Sequence, residues 1–226
     1  MNRKKVFTEN LLNWRIINDF DSEFLWRNSK DPYEIIISEM LLKKTTRVQV
    51  KNVWNIFIEI FPSFYSLVEA DNEDIKKIIK PLGLENNRSS ELHKMAKVIV
   101  DDYSGKVPNS LDKLLELPGV GQYVSNAVLC FAFHNDIAIV DRNVVRIICR
   151  VFSKCSIKAR PRTDRNIWSF VQTLIPQGKG LDFNYSILDF TNIICTSKKP
   201  KCNSCKMADI CDYNLKKGIW NKQYLK

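Results

Sequence analysis

Residues 111–128 read LDKLLELPGVGQYVSNAV, a helix, a tight turn and a second helix. Pro118 stops the first helix, because a ring without an amide proton cannot extend the hydrogen-bond ladder. Gly119 and Gly121 permit backbone conformations and close approaches that a side chain blocks. The amides of Val120, Gly121 and Gln122 are then expected to point outward at the start of the second helix. Such a turn suits an anion, and one phosphate of a nucleic-acid backbone fits it. A Gly-x-Gly turn by itself most often only connects elements. Here it precedes a strongly apolar helix and then Asp141, which gives it weight.

Outward from this turn, helical periodicity dominates. Apolar positions at Val50, Val53, Trp54, Ile56, Phe57 and Phe61 recur near every 3.6 residues. Asp31-Pro32 is a helix-start signal with proline in the first turn. Helices are expected at about 8–20, 31–44, 46–61, 63–70, 72–80, 87–103, 110–116, 122–133, 142–152, 163–175 and 182–194. The one strand-like piece, 137–140, is too short to found a sheet, and only 7 glycines argue against a turn-rich β fold. The fold class is therefore all-α.

Near the C-terminus, CTSKKPKCNSCKMADIC places Cys195, Cys202, Cys205 and Cys211 in the spacing C-x6-C-x2-C-x5-C. Four soft sulfur ligands suit a [4Fe–4S] cluster or zinc. Four-cysteine zinc sites usually pair two short knuckles, and only Cys202 and Cys205 form one here, so the wider outer spacing suits a cubane better. Two disulfides are the remaining alternative. Cys130, Cys149 and Cys155 lie in or beside apolar segments and read as packed thiols.

Lys and Arg number 35 against 25 Asp and Glu, a net charge of +10 in 226 residues. That surplus suggests a polyanionic partner, most often nucleic acid. The opening MNRKKVFTENLLNW lacks the apolar core of a signal peptide, and the longest apolar stretch, around 127–133, falls short of the ~18 residues of a membrane span. The expectation is an intracellular, cytoplasmic protein with no membrane partner.

The combination LPGVG, IVDRNVVRIICR and the four-cysteine pattern resembles the helix-hairpin-helix DNA glycosylases of the endonuclease III type, over about residues 25–213. The resemblance implies two helical domains with a DNA-binding cleft between them. One is a six-helix barrel at about 30–135 that carries the hairpin of 111–128. The other joins 1–29 to 136–226 and carries a [4Fe–4S] cluster on the four cysteines. It also implies double-stranded DNA with a mismatch as partner, and a base flipped out of the stack, because a stacked glycosidic bond is inaccessible.

The resemblance makes Asp141 the family's essential aspartate. Breaking an N-glycosidic bond builds positive charge on the sugar, and a nearby carboxylate stabilises it or aligns water. Asp141 also suits an N-cap for 142–152, which would hold the carboxylate rigid and ionised. Asn143 is placed to orient it or to bind backbone near the target sugar. Lyase members of the family carry a lysine two residues after the second hairpin glycine, whose amine attacks the sugar. This chain has Tyr123 there, and a phenol cannot form the imine. The implied enzyme is monofunctional and leaves an abasic site, with Lys43 and Lys44 the sources of any weak lyase activity.

Glu39, in SEMLLKKTT, matches the glutamate that protonates the leaving base in adenine DNA glycosylases, and burial would have to keep it protonated. Those enzymes usually carry glutamines at positions 43 and 44 and a serine at 123. Lys43, Lys44, Thr45 and Thr46 with Tyr123 look more like the archaeal-type glycosylases that remove thymine or uracil opposite guanine. Thymine has no N7, so Glu39 would there bond the pyrimidine edge or orient the sugar. Adenine opposite guanine or 8-oxoguanine is the alternative target, and a non-catalytic DNA-binding module ranks below both. Lys44 and Leu84 match positions that wedge into the base stack, and the lysines among the cysteines would meet phosphates.

Overall fold

The structure is a computed structural model that describes residues 2–18 and 22–216. Among the described residues there are helices and turns but no strand. The helices are α1 (Arg3–Ile17), α2 (Pro32–Leu41), α3 (Arg47–Ile60), α4 (Phe64–Glu69), α5 (Asn72–Ile79), α6 (Glu85–Tyr103), α7 (Leu111–Glu116), α8 (Gln122–Phe131), α9 (Arg142–Phe152), α10 (Arg165–Gln172), α11 (Gly180–Ile193) and α12 (Asp212–Leu215). The periodicity located the long helices to within a few residues. The start of α1 differs more: the Asn2 side chain accepts from the Lys4 and Lys5 amides and begins the helix before the apolar pattern does. The end of the expected helix 8–20 lies outside the described residues.

Contacts divide the chain into two compact units, Phe20–Phe133 and Met1–Asp19 with His134–Lys226. The sequence reading grouped 1–29 with the C-terminal part. The aromatic anchors Phe24 and Trp26 instead pack within the first of these units, where Trp26 meets Trp54 edge-on at 5.9 Å.

In the unit Phe20–Phe133, α2 is the central helix. Ile35, Ile36, Ile37, Met40 and Leu41 are all buried, and a helix that is apolar all round must be enclosed on every side. α8 and α3 pack on it, and α4 and α5 lie along the long α6. On α3, Val50, Val53, Trp54 and Phe57 face inward, and Thr46 with Gln49 forms a capping box that fixes where the helix starts.

In the other unit, α1 packs along α11, with Trp14 edge-on to Phe190 at 5.1 Å. The strand-like residues 137–140 lead into α9 without forming a strand. Side chains stand in for a strand partner: the Ala138 amide donates to Gln172 Oε1 and the Ile139 amide to Asn184 Oδ1. Asp136 accepts from the amides of Gly178 and Gly180. A Cβ on Gly180 would come within 2.9 Å of the Asn135 carbonyl, so this close approach requires glycine. The segment that delivers Asp141 is thereby pinned.

A second departure from expectation concerns the thiols. Cys149 and Cys155 form a disulfide at a separation of 6 residues rather than packing as free thiols. Helix α9 ends at Phe152, and the chain reverses there through Ser153 in a left-handed conformation, which brings the two sulfurs together. Cys130 is buried and takes no part in the disulfide.

Candidate functional site

Asp141 is the N-cap of α9. Its Oδ1 accepts from the backbone amides of Asn143 at 2.8 Å and Val144 at 2.7 Å, and its Oδ2 from Asn143 Nδ2 at 2.8 Å. Burial pushes its pKa above the usual aspartate range, while these bonds and the nearby Arg146 pull the other way. The cap is therefore rigid, but ionisation is less favoured than a cap alone suggests.

Asn143 is held in turn. Its Oδ1 accepts from Arg146 Nη1 at 2.6 Å, and Arg146 also donates to the carbonyls of Thr191 at 2.9 Å and Cys195 at 2.8 Å. A continuous chain of bonds thus runs from the Asp141 carboxylate to the first cysteine of the C-terminal loop. Sequence reasoning missed Arg146. The available signal was its spacing: after Arg142, the polar residues of α9 are Asn143, Arg146 and Arg150, at intervals of three and four on an apolar helix.

The cysteine loop meets the same helix. Cys195, Cys202, Cys205 and Cys211 line one small cavity together with Ile147, Phe190 and Met207. Arg150, 1% exposed, donates toward Cys195 Sγ at 3.5 Å and to the carbonyls of Thr196 and Ser197. Burial raises the Cys205 thiol to about 12 and raises Cys211 as well. Among the described residues, no three His, Cys, Asp or Glu side chains converge as ligands of a single metal ion.

In the unit Phe20–Phe133, the hairpin joins α7 to α8. Pro118 follows the end of α7 and is half-buried. Its two glycines have different reasons to be glycine. Gly119 has φ +76°, and a Cβ there would lie 2.9 Å from Glu91 Oε2 and Met40 Cε. Gly121 is extended, and a Cβ there would meet nothing within 4 Å. No protein contact among the described residues requires glycine at position 121. No acceptor among the described residues takes the amides of Gly121 and Gln122. Val120 corrects the expectation: its amide donates to the Leu117 carbonyl at 3.0 Å and its side chain is core, because the turn closes on itself there. Gln122 is exposed, with Nε2 donating to Asn126 Oδ1.

Lys43 is not a free cation. Its Nζ bonds Glu91 Oε2 at 2.5 Å and the Gly119 carbonyl at 2.9 Å, so it ties the hairpin to α6. Lys44 is exposed at φ 59°, and Leu84 is 53% exposed at φ 54°. Both occupy a left-handed conformation that is costly for a side chain of this kind. Buried Arg88, which the sequence reading also passed over, donates to the carbonyls of Met40, Leu41 and Lys43, one turn into the helix that Leu84 caps. It satisfies the orphan carbonyls at the α2 end and ties that turn to α6.

Glu39 lies on α2 and is 5% exposed. Among the described residues its buried Oε2 has no hydrogen-bond partner, and burial raises its pKa to about 7, against a lowering influence from Arg27. Tyr123 is the second residue of α8 and half-buried.

A family model described as HhH-GPD superfamily base excision DNA repair protein matches residues 37–173. The chain belongs to this superfamily. It is 39% identical over 211 residues to the thymine/uracil-DNA glycosylase of Methanothermobacter thermautotrophicus, across 93% of this chain and 94% of that one. The solved structure of a thermostable thymine-DNA glycosylase superposes with a TM-score of 0.89 at 39% identity, covering 95% of this chain and 97% of that chain. An adenine DNA glycosylase of Buchnera aphidicola subsp. Schizaphis graminum is more distant, at 30% identity, and this chain spans 63% of its length. As a superfamily member the chain is a base excision DNA repair protein and its partner is DNA. The matched segment contains Glu39, the hairpin and Asp141, while the four cysteines lie beyond it. Among the described residues no helix is long and apolar enough to cross a membrane.

Proposed function

We propose that the protein is a monofunctional DNA glycosylase that removes thymine or uracil mispaired with guanine from double-stranded DNA, acting as a monomer. The observation that carries the reading is the Asp141 carboxylate, fixed by donors on both oxygens at the start of α9. When the bond between the base nitrogen and the sugar C1′ breaks, its electron pair leaves with the base and positive charge grows on the deoxyribose. Asp141 stabilises that charge and aligns the attacking water, whose addition completes hydrolysis. Because its donors are in place beforehand, no reorganisation is needed during the reaction.

Glu39 serves the leaving base. At a pKa of about 7 it carries a proton in much of the population at neutral pH. A protonated carboxyl can donate to a pyrimidine carbonyl and draw off the negative charge of the departing base. An unpartnered buried oxygen is a cost that a bound base would offset. Tyr123 holds the chain position at which lyase members carry the attacking lysine, and a phenol forms no imine; Lys43 bonds Glu91 and the Gly119 carbonyl, so base loss should end at an abasic site. The free amides of Gly121 and Gln122 hold a backbone phosphate, and Lys44 and Leu84 enter the stack to replace the extruded base.

The four cysteines fit a [4Fe–4S] cluster: all four line one cavity, and Arg146 and Arg150 supply positive charge beside it. Such a cluster would act as a clamp that fixes the lysine-bearing loop. Iron and sulfide in four-to-four ratio with broad visible absorbance support it, and a colourless zinc protein rejects it.

A panel of T/G, U/G, A/G and A/8-oxoG duplexes, with and without alkali, tests the activity. The expected outcome is base release from T/G and U/G, with strand nicking only after alkali. Release of adenine alone overturns the substrate. Efficient borohydride trapping overturns the monofunctional mechanism.

A further inference from the structure

Residues 153–165, SKCSIKARPRTDR, form a connection between α9 and α10 that no role above uses. Lys154, Lys158, Arg160, Arg162 and Arg165 are all exposed. Among the described residues none of the five has an ion-pair partner. The acids nearby are already committed. Asp164 is buried, accepts from the Ser156 hydroxyl at 2.6 Å and caps α10 through the Asn166 amide. Asp212 takes the Ser153 hydroxyl and pairs with Arg3.

The connection is also built to keep its shape. The Cys149–Cys155 disulfide closes its base, the Ser156 hydroxyl accepts from the Lys158 amide, and Trp168 Nε1 donates to the Arg162 carbonyl at 2.8 Å. Arg165 is the first residue of α10, with Arg160 and Arg162 just before it. Cations are disfavoured at this end of a helix, where the peptide dipoles present positive charge. Lys158 acts through space on Asp164 and Lys154 lies over the Phe170 ring, which leaves Arg160, Arg162 and Arg165 as exposed cations at an unfavourable helix end that a polyanion would stabilise.

We propose that this basic connection is a further DNA-backbone contact, separate from the hairpin amides and the cysteine-loop lysines, that holds the duplex without reading its sequence. The chemistry favours DNA over an acidic peptide. Phosphate contacts need only accessible positive charge, whereas a peptide also needs an apolar groove to anchor it. Ile157, 96% exposed, is the only large apolar side chain of the connection found exposed, and a lone residue makes no groove. The inference rests on DNA as the partner and not on the identity of the excised base.

The test is the salt dependence of binding to a matched and a T/G duplex by the full chain carrying Lys158→Ser, Arg160→Ser, Arg162→Ser and Arg165→Ser. A control carries Lys51→Ser, Lys94→Ser, Lys97→Ser and Lys106→Ser, four exposed lysines of the other unit. Each lost phosphate contact lowers the slope of log K against log salt by about 0.9. The expected result is a slope shallower by about 2 or more on both duplexes in the first variant, and little change in the control. Base release at saturating enzyme should stay at the parent rate. An unchanged slope overturns the proposal, as does an equal fall in the control, which would make the effect one of bulk charge. Parent-like DNA binding with lost affinity for a poly-glutamate peptide overturns it in favour of an acidic protein. Should the fourfold variant unfold, Arg160→Ser with Arg162→Ser decides, with an expected slope change of about 1 to 2. If the parent releases no base from any duplex, the catalytic reading fails while the slopes still decide this one.

Discussion

Asp141 and Glu39 are two half-buried or buried carboxylates with raised pKa values, and the same physical cause, burial, raises both. Their surroundings differ in one respect. Asp141 sits at a helix start, where two backbone amides and an asparagine side chain favour its charge. Glu39 sits mid-helix among isoleucines, with one oxygen that takes no hydrogen bond from any described residue. The first environment suits a group that works as an anion, the second a group that works while holding a proton. On the proposed mechanism, two roles come from similar side chains because one lies at an amide-rich helix end and the other in an apolar wall.

The largest expected effect tests the anionic half of that contrast. Asp141→Asn should cut single-turnover base release by about 10³-fold. Asparagine caps a helix as well as aspartate does, so stability should move by less than about 1 kcal/mol and DNA binding should persist. Base release at the parent rate would remove Asp141 from the chemistry.

Arg146 acts on Asp141 through the Asn143 side chain and through its own nearby charge, so Arg146→Met should both misplace the carboxylate and make it easier to protonate. Base release should fall by up to about 100-fold, with little change in the affinity for DNA. An Arg146→Met protein that loses affinity but keeps its rate would show that the residue serves folding or docking instead.

The hairpin offers a smaller and cleaner test. Gly121→Ala meets no atom of the protein, so stability should stay within about 1 kcal/mol while DNA binding weakens by about tenfold. Gly119→Ala must adopt φ +76° against Glu91 and Met40, and should lower stability by about 2 kcal/mol or more in thermal denaturation.

The smallest effects concern the proton on Glu39. Its folded pKa of about 7 lies above that of the unfolded chain, so the folded state binds the extra proton. Stability is then highest below the unfolded value near 4.3, falls as pH rises toward 7 and levels off beyond it. Glu39→Gln should therefore raise the melting temperature most at pH 8, by the equivalent of about 1–3 kcal/mol. In the parent, base release should decline as pH rises through about 7, and Glu39→Gln should lose that alkaline limb. The acid limb belongs to Asp141: activity is lost as pH falls through a pKa above the usual aspartate range. A parent profile flat from pH 6 to 9 would remove Glu39 from the chemistry.

Much of the fold could be read from local pattern. The 3.6-residue recurrence on α3, the Asp31-Pro32 start and the Pro118-Gly119 break each act within one or two turns, so each is written in adjacent residues. The misreadings share the opposite property. Lys43 reads as a free cation until Glu91 and the Gly119 carbonyl are brought to it. Val120 reads as an outward amide until the turn closes on Leu117. Cys149 and Cys155 read as packed thiols until the reversal after α9 brings them into register.

Residue order alone therefore determined the helices, the hairpin, the four-thiol loop and the charge that calls for a polyanion, because periodicity, capping and composition are short-range. Tertiary structure decided which polar groups are spent internally and which remain for chemistry. The bonds from Asp141 through Asn143 and Arg146 to Cys195 span residues 141–195, and the unsatisfied oxygen of Glu39 exists only because packing encloses it. Protonation and positioning depend on what surrounds a group in space, and separation along the chain carries little record of that.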